Sequence, residues 1–594
     1  MSDQTVHPRA LGRLPAFRVP SFVRRTLPAL LLVLAFVVPP VVVGGVGVVR
    51  AMLAYAGETP TALNQPLPDR PAHDPARPTA IVVAGNAGTE VSDLLGPYET
   101  LAASGAFNVY VAAPDRRPAP VYPGDLALVP HYSFAEYEAA FAEPPALVVV
   151  PYIPDAKETA PEVLAWIRQQ ASRGTTILSI CAGAEVVADA GVLDGQAATT
   201  HRDWVATLER AHPEVRWVRG QRYVDSGQLI SSAGVTSGVD ATLHTLSRMF
   251  GRDVADRTAA AIGYPHTRFL DDPTWNNDRL RPLRYLPGMY RWDREEIGLL
   301  LYDGVRELEV ASVVDTYPRS LVASVRTVSD GASIVRTRHG LDLVPRADLA
   351  AAPTLDRLLV PGDASAPKAA EAVRAWSREH PGGPAVEPIH ASGGYLYDQS
   401  LRDMARHDGN NVAIEAANML EYPTHDLALD GPAWRLDLLI RPLALGLLGL
   451  GVAIWLRRRP RPGIRSVGRF ALHFGEMTLA MMVGMAVFHL IAGAHGHGAG
   501  MLVFMTMPMV AWMWLRGHSW RHGYEMAAGM LVPVAAIWVL LGLGAGESVP
   551  WLRMVDHPAM LLGMLGAMLL RREQYTGGHA TAAGSARRVA PAAT

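Results

Sequence analysis

The residue of this sequence with the clearest chemistry is its only cysteine, Cys181, in a chain of 594 residues. It directly follows an apolar, β-branched run at 175–180, which predicts a buried parallel strand, and it precedes a stretch of helical character. A side chain at such a strand-to-helix turn projects from the carboxyl end of the sheet, where the helix N-terminus lowers the pKa of a thiol. The pattern therefore predicts a reactive thiol. A buried, inert cysteine is the alternative.

The segment around this cysteine alternates between short apolar runs and helical stretches. The runs at 80–84, 109–112 and 146–150 are typical of buried strands, and residues 161–173 are typical of a helix. Because strands and helices alternate along the chain, we expect βαβ units, which form a parallel sheet covered by helices.

The α/β pattern occurs twice in the chain. Three pairs of segments match, namely 88–94 with 304–310, 179–183 with 388–392, and Tyr264-Pro265 with Tyr422-Pro423. The second copy is shorter, and His390 stands where the first copy has its cysteine. We therefore expect a degenerate second domain that packs against the first as a pseudo-dimer. A homodimer of whole chains is a further expectation.

Four motifs in the first copy give a specific family resemblance. They are Ser-Ile-Cys-Ala-Gly-Ala at 179–184, Ala-Gly-Val-Leu-Asp-Gly at 190–195, Thr-Thr-His at 199–201 and Ser-Ser-Ala-Gly-Val-Thr-Ser-Gly-Val-Asp at 231–240. In these motifs the chain resembles the ThiJ/PfpI family of the class I glutamine-amidotransferase-like superfamily, and within it the branch of isocyanide hydratases and of sensory domains of AraC-type regulators. The resemblance implies a flavodoxin-like parallel sheet sandwiched by helices. It leaves the reaction open, because the family mixes hydrolases, hydratases, chaperone-like proteins and non-catalytic sensors.

The resemblance also implies roles for individual residues. Cys181 would be the nucleophile, and Asp93 the acidic neighbour that hydrogen-bonds or protonates near it. The N–H groups of Ala182 and Gly183 would form an oxyanion hole. Position 182 is His in peptidase-like members and Thr in hydratase-like members, so alanine there argues against a peptidase. His201 is a candidate pocket residue, and a place in the domain interior is the alternative for it.

Apolar stretches at both ends of the chain suggest a membrane protein. The candidate spans are 27–50, 436–456, 470–493, 501–515, 524–544 and 551–570. Arginine-rich joints alternate with arginine-poor ones, and with the former cytoplasmic the six spans close consistently. We therefore expect a multi-pass protein of bacterial type in contact with membrane lipid, with residues 52–435 extracytoplasmic and both termini cytoplasmic. A cleaved signal peptide is the alternative for the first span.

The C-terminal helices carry a repeated pattern of soft metal ligands. His-x-x-Glu-Met-x-x-x-Met occurs twice, and that spacing puts the four side chains on one helix face. Thioether and imidazole groups suit Cu(I), and packing of methionines between helices is the alternative. The candidate metal ligands are His473, Glu476, Met477, Met481, His522, Glu525, Met526 and Met530.

The bulk composition excludes one class of partner. The net charge is −2, and no block of Lys or Arg is long enough for a nucleic-acid arm, so we expect no nucleic acid as partner. The sequence predicts no cofactor. We expect a small-molecule ligand at the Cys181 site in a sensory or regulatory role. A cysteine-dependent hydrolase or hydratase is the first alternative, and a metal or small-solute transporter with an accessory outer domain is the second. Whether the protein is an enzyme stays open.

These expectations combine into one domain plan. It comprises a cytoplasmic N-terminus at 1–26, a transmembrane anchor at 27–50, a ThiJ/PfpI-like domain at 77–270, a linker at 271–294, a degenerate second domain at 295–435, a five-helix membrane domain at 436–571 and a disordered cytoplasmic tail at 572–594.

Overall fold

The structure is a computed structural model of the whole chain. It describes residues 32–48, 63, 65–275, 286–291, 294–351, 355–362, 367–379, 385–458, 464–492, 499–516, 518–542, 556–570 and 575. The predicted cytoplasmic N-terminus at 1–26, part of the predicted linker, and all of the predicted tail except Tyr575 lie outside the described residues.

Apolar, β-branched runs form the strands, as the sequence pattern predicts. The strands are β1 Thr79–Val83, β2 Thr89–Glu90, β3 Asn108–Ala113, β4 Ala119–Tyr122, β5 Leu126–Val129, β6 Tyr132–Ser133, β7 Leu147–Val150, β8 Thr176–Ser179, β9 Ala197–Ala198, β10 Arg216–Trp217, β11 Tyr223–Asp225, β12 Leu229–Ser232, β13 Glu295–Leu301, β14 Ala323–Ser329, β15 Val335–Arg336, β16 Asp342–Pro345, β17 Ala347–Asp348, β18 Arg357–Val360 and β19 Ala385–Pro388. The central strands are buried on both faces, which is why their sequences are continuously apolar.

Helices connect most of the parallel strands. The helices are α1 32–48, α2 Val91–Ser104, α3 Phe134–Ala140, α4 Ala156–Thr159, α5 Pro161–Ser172, α6 Gly183–Asp189, α7 Arg202–Ala211, α8 Ser237–Phe250, α9 Arg252–Ile262, α10 Leu286–Met289, α11 Glu307–Val314, α12 Thr316–Arg319, α13 Pro367–Glu379, α14 Leu396–Asp408, α15 Asn410–Met419, α16 Leu436–Arg458, α17 Ile464–Ala492, α18 Ala499–Leu515, α19 Trp520–Gly542 and α20 Asp556–Leu570. Short 3₁₀ turns lie at Thr267–Leu270 and Leu349–Ala351.

Each copy of the repeat builds its own sheet. The first sheet has the order β11-β12-β8-β7-β1-β3-β6 and is parallel except for its edge pair β11–β12. The second has the order β17-β14-β13-β18-β19 and is parallel throughout. The predicted α/β, flavodoxin-like fold is therefore confirmed.

A third sheet joins the two copies. It has the order β15-β16-β5-β4-β2, and the pairing of β5 with β16 is antiparallel, with Leu128 opposite Leu343. Leu128 and Leu343 are fully buried in one hydrophobic core that contains residues of both copies. The two halves are thus one packed body.

The chain divides into two compact units, Met1–Leu450 and Gly451–Thr594. The first holds all three of these sheets. In the second, α17 packs against α18, α18 against α19, and α19 against α20. The division falls inside α16, whereas the sequence predicted a boundary at 435–436.

The membrane prediction is wrong. Within the parts of the chain that the structure describes, no helix is both long enough and apolar enough to span a bilayer. The helices α18 and α20 have 17 and 15 residues, and at 1.5 Å per residue they fall short of the roughly 30 Å hydrocarbon layer. The longer helix α17 carries the polar pair His473 and Glu476, and α19 carries His522 and Glu525. The predictions that rested on these spans are wrong as well. They are the six-span topology, the extracytoplasmic placement of 52–435 and the cytoplasmic termini. The expected contact with membrane lipid loses its support.

Glu99 provides a test of how the two copies hold together. Its buried carboxylate accepts hydrogen bonds from the Arg306 guanidinium, at 2.5 and 2.8 Å, and from the Leu308 N–H at 2.7 Å. Because Arg306→Ala leaves a buried carboxylate without its cation, we expect a loss of about 3 kcal/mol, measured as a lower urea midpoint of unfolding.

The matched control is Arg219→Ala, which removes an exposed ion pair with Glu209. Such surface pairs contribute about 0–1 kcal/mol. Equal urea midpoints for the Arg306→Ala and Arg219→Ala variants would contradict the assigned importance of the buried pair.

Candidate functional site

Cys181 lies at a strained turn between β8 and α6. Its φ is 55°, a left-handed conformation that residues other than glycine rarely adopt. The Cys181 N–H donates to Ser232 Oγ at 3.2 Å, and its carbonyl accepts from Thr200 Oγ1 at 2.9 Å. Hydrogen bonds on both sides therefore fix the backbone of the turn.

The first helical residue after the turn packs directly on a neighbouring strand. A Cβ on Gly183 would lie 2.2 Å from the Val150 carbonyl oxygen, so glycine is required there. The Gly183 N–H donates to the Ile180 carbonyl at 2.7 Å and is thus engaged within the turn. Ala182 is the N-cap of α6 and provides no side-chain cap. The predicted oxyanion hole stays a prediction, and it would require Gly183 to release this bond.

Asp93 lies in the first turn of α2 and is fully buried. Its Oδ2 accepts the Tyr152 N–H at 3.2 Å, while the buried Oδ1 has no hydrogen-bond partner among the described residues. An unpaired buried oxygen is costly, and such atoms often mark a place where a ligand or water binds.

Glu90 links Asp93 to the second copy of the repeat. It is the N-cap of α2, and its Oε2 accepts the Asp93 N–H at 2.6 Å. Its Oε1 accepts from Arg319 of α12 at 2.7 Å, and Arg319 also donates to Asp315 at 2.5 Å. A cation from the second copy therefore reaches the acidic group beside Cys181.

The electrostatics of this cluster favour protons on the acids and on the sulfur. Burial raises the pKa of Asp93 far above its usual range, and the negative charge of Asp315 adds to the shift. Burial, then the charges of Asp93 and Glu90, raise the pKa of the Cys181 thiol well above its ordinary value of 9.0. The sequence predicted a lowered thiol pKa from the helix N-terminus. That effect is outweighed, because the thiol is desolvated and faces carboxyl groups.

His201 is the N-cap of α7 and contacts the second copy. Its Nδ1 accepts the Asp203 N–H at 3.3 Å, so its Nε2 carries the proton and donates to the Met419 carbonyl at 3.1 Å. Both ring nitrogens are therefore used. A pocket role for His201 stays a prediction.

Glu421, from the second copy, closes the side of the site next to α8. It is buried and has a φ of 49°. One carboxylate oxygen accepts the Gly234 N–H at 2.5 Å and the other accepts the Arg202 N–H at 2.9 Å. A Cβ on Gly234 would lie 2.4 Å from Glu421 Cγ, so only glycine fits beneath this side chain. The charge of Glu421 is also among those that raise the pKa of Cys181.

The second copy has a different centre at the position that corresponds to Cys181. His390 lies there and is not among the described residues with positive φ. Its Nδ1 accepts the Gly362 N–H at 3.4 Å, and its Nε2 donates to Ser312 Oγ at 3.0 Å. Burial lowers the pKa of His390 to about 3, so this imidazole is neutral and has no strained elbow.

The part of the chain that forms this site is similar in sequence to known proteins. The DJ-1/PfpI family matches residues 79–248, which contain Cys181 and Asp93. An isonitrile hydratase from Pseudomonas putida is 30% identical over 177 residues, covering 29% of this chain and 72% of the hydratase. The chain belongs to the DJ-1/PfpI family.

Two further similarities widen the range of relatives. The HTH-type transcriptional regulator CdhR from Pseudomonas aeruginosa is 29% identical over 109 residues, covering 18% of this chain and 32% of the regulator. The crystal structure of a ThiJ/PfpI family protein from Pseudomonas syringae covers 35% of this chain and 85% of its own, with 23% identity and a TM-score of 0.29. The predicted kinship with hydratases and AraC-type regulators is thus confirmed as a family likeness.

Several residues of this DJ-1/PfpI site were not identified from sequence. The sequence alone favours a solvated helix or loop position for Glu90, and its burial shows that interpretation to be wrong. Arg319 and Glu421 come from the second copy, more than a hundred residues from Cys181 in the sequence. The one available signal was the Tyr-Pro repeat, which pairs Glu421 with Gly263, a glycine with φ of 72°. A glutamate where a left-handed glycine stands in the other copy indicates a selected side chain.

We predict slow, strongly pH-dependent alkylation of Cys181. Because burial and the neighbouring carboxyl groups raise its thiol pKa, the labelling rate with iodoacetamide should keep rising through pH 9 without a plateau. Cys181 is the only cysteine, so mass spectrometry of the intact protein reports its modification directly. In the urea-unfolded chain the rate should level off near the ordinary pKa. A plateau below pH 8 in the folded protein would contradict the raised pKa.

We also predict that Glu421→Gly loosens the turn at 233–236. Glycine tolerates the left-handed backbone, so the change tests the loss of the carboxylate alone. Two hydrogen bonds to a charged group disappear, and we expect the free energy of unfolding to fall by about 2 kcal/mol. The measurement is a lower urea midpoint of unfolding. Alkylation of Cys181 should become faster, since a negative charge leaves its surroundings.

The control for backbone relief is Asp155→Gly. Asp155 has nearly the same φ, 48°, but is exposed and forms no side-chain cap. Its replacement should leave both the stability and the alkylation rate unchanged. Similar behaviour of the Glu421→Gly and Asp155→Gly variants would show that the carboxylate of Glu421 has no role at the site.

Proposed function

We propose that the Cys181 site of this DJ-1/PfpI protein recognises a small, neutral, polar molecule in a sensory or regulatory role. The observation that carries the proposal is Asp93 Oδ1, a buried oxygen without a hydrogen-bond partner among the described residues. Asp93 lies close enough to the buried Cys181 thiol for its charge to raise the pKa of that thiol. Burial raises the pKa of Asp93 and so favours its protonated form, in which the carboxyl group both donates and accepts hydrogen bonds. A ligand that carries an amide or a carbonyl would match this group.

The connection to the second copy supports a regulatory reading. Arg319 and Glu421 reach the site from elements that pack between the two sheets. A ligand that displaces either contact would change the fit between the copies. Regulators such as CdhR are among the relatives, and this chain matches about a third of that protein's length.

A hydratase is the second candidate. The positive φ of Cys181 is the backbone geometry of a nucleophile elbow, and the chain is similar to an isonitrile hydratase over most of that enzyme's length. In this function the sulfur would add to the isonitrile carbon while Asp93 gives that carbon a proton and takes up the proton of the thiol. Water would then add to the thioimidate, break the carbon–sulfur bond and release a formamide, which restores the thiol.

Three features favour recognition over turnover. The thiol is held protonated, Ala182 offers no hydroxyl group, and the Gly183 N–H is already engaged by Ile180. A catalytic thiol would need a base or a lowered pKa. The surroundings of this sulfur are acids with raised pKa values.

The test uses tert-butyl isonitrile and N-methylformamide as probes on the full-length protein. We expect both to slow the alkylation of Cys181 and to alter the fluorescence of Trp204, whose ring lies 5.3 Å from that of Tyr152. We expect no formamide product above the level of Cys181→Ser, measured by NMR. Asp93→Asn should weaken the protection at least tenfold.

Asp194→Asn is the matched control, since Asp194 is an exposed acid of the same domain, and it should protect as the unaltered protein does. Trp204→Phe shows how much of the fluorescence change arises at the site. Product formation that depends on Cys181 would favour the hydratase. Equal protection in the Asp93→Asn variant would contradict a site built on this acid.

A further inference from the structure

The core of the second unit consists almost entirely of methionine. Of its twelve buried hydrophobic residues among those described, ten are methionine, and the other two are Val534 and Tyr575. The ten are Met477, Met481, Met505, Met509, Met513, Met526, Met530, Met560, Met564 and Met568. Cores are ordinarily built from Leu, Ile and Val, whose rotamers specify packing better.

Several branched residues of these same helices lie on the outside. Leu479, Val532 and Leu562 are 63%, 65% and 68% exposed. Leucine and methionine have similar volumes, so packing alone does not require this arrangement. Ten thioethers lie on the inner face, although Met482 and Met507 of the same helices are exposed. The structure concentrates thioethers inward, where they meet one another.

The polar side chains of α17 and the turn before α19 enclose a small cavity at one end of this core. Its interior volume is about 10 Å³, which is room for one water molecule or one ion. Its lining includes Met477 and His473 of α17, Met513 of α18 and His518, which precedes α19. The two imidazole ring centroids are 6.0 Å apart. That distance suits two rings on one metal with bonds of about 2 Å, since their centroids then lie roughly 5–6 Å apart.

The charge of the cavity wall selects among cations. Its one carboxylate, Glu476, accepts a hydrogen bond from Arg516 Nε at 3.1 Å and a second from Arg516 Nη2. Because this carboxylate is paired with an arginine, the cavity offers no free anionic oxygen to Ca²⁺ or Mg²⁺. Neutral thioether and imidazole donors suit a soft cation of low charge.

We propose that this cavity binds Cu(I) through the thioethers of Met477 and Met513 and the imidazoles of His473 and His518. Two of the sequence candidates keep their role as ligands and two change it. His473 and Met477 are ligands, Glu476 is the paired charge in the wall, and Met481 lies in the thioether core. His522, Glu525, Met526 and Met530 do not line the cavity.

The experiment measures Cu(I) binding by the full-length protein under anaerobic conditions, in competition with bicinchoninate. All variants are made in a Cys181→Ser background, because the thiol of the chain's one cysteine would compete for Cu(I). We expect one equivalent of Cu(I) to be retained. Met477→Leu with Met513→Leu should weaken binding at least tenfold, because the volume is kept while both sulfurs are removed.

The matched control is Met482→Leu with Met507→Leu. These methionines lie on the same two helices and are 54% and 66% exposed. The control should retain copper fully, and His518→Gln should lose it. Circular dichroism and thermal unfolding establish that each variant is folded.

Three outcomes would overturn the proposal. They are failure of the Cys181→Ser protein to retain Cu(I), equal retention by the buried and exposed methionine variants, and stronger retention of Zn²⁺ than of Cu(I).

Discussion

The two α/β copies are held together around carboxyl groups that are buried between them. Glu90, Glu99 and Glu421 are each almost fully buried, and each is satisfied by a group of the opposite copy. An unpaired buried carboxylate costs several kcal/mol, so these pairings fix how the copies meet. Their geometry in turn determines what surrounds Cys181. The chemistry of the site is therefore a consequence of the interface.

The two copies share a fold but differ in the residue and the backbone conformation at the turn after β8 in the first copy and after β19 in the second. In the first, the left-handed turn at Cys181 exposes the sulfur to two acids. In the second, His390 has an ordinary backbone conformation, and its two ring nitrogens form hydrogen bonds with Gly362 and Ser312. The turn is therefore strained in the first copy, whereas in the second it holds a neutral, hydrogen-bonded imidazole. The second copy contributes to the protein through Arg319 and Glu421, which it extends toward its neighbour.

The sequence contained enough information for the fold of each copy. The runs at 80–84 and 146–150 are buried on both faces of a parallel sheet, and that environment leaves a clear apolar signature. The turn at Cys181 was also predictable, because strand and helix patterns meet there. Burial of the thiol could not be predicted in the same way. The sign of its pKa shift depends on Glu90 and Asp93 together, and their spacing from the sulfur arises only in three dimensions.

The sequence pattern could not predict contacts between distant segments. It also could not predict the environment of the C-terminal helices. Hydropathy along 501–515 reads the same whether its apolar residues face a bilayer or the sulfur-rich interior of a helical unit. The predicted membrane topology rests on this ambiguous hydropathy and on the alternation of arginine-rich and arginine-poor joints. The methionine repeat was visible, yet its partner His518 lies in a turn that carries no repeat signal. Local periodicity identifies the apolar face of a helix, but it does not identify the surface against which that face packs.

Because both copies belong to one polypeptide, the association of Arg319 with Glu90 is intramolecular, at an effective concentration that dilution does not change. The linkage also frees each half to diverge. Ala103 occupies the place in the first copy that Arg319 occupies in the second. A dimer of identical subunits would have to carry the arginine twice or not at all, whereas this tandem arrangement supplies it to a single site.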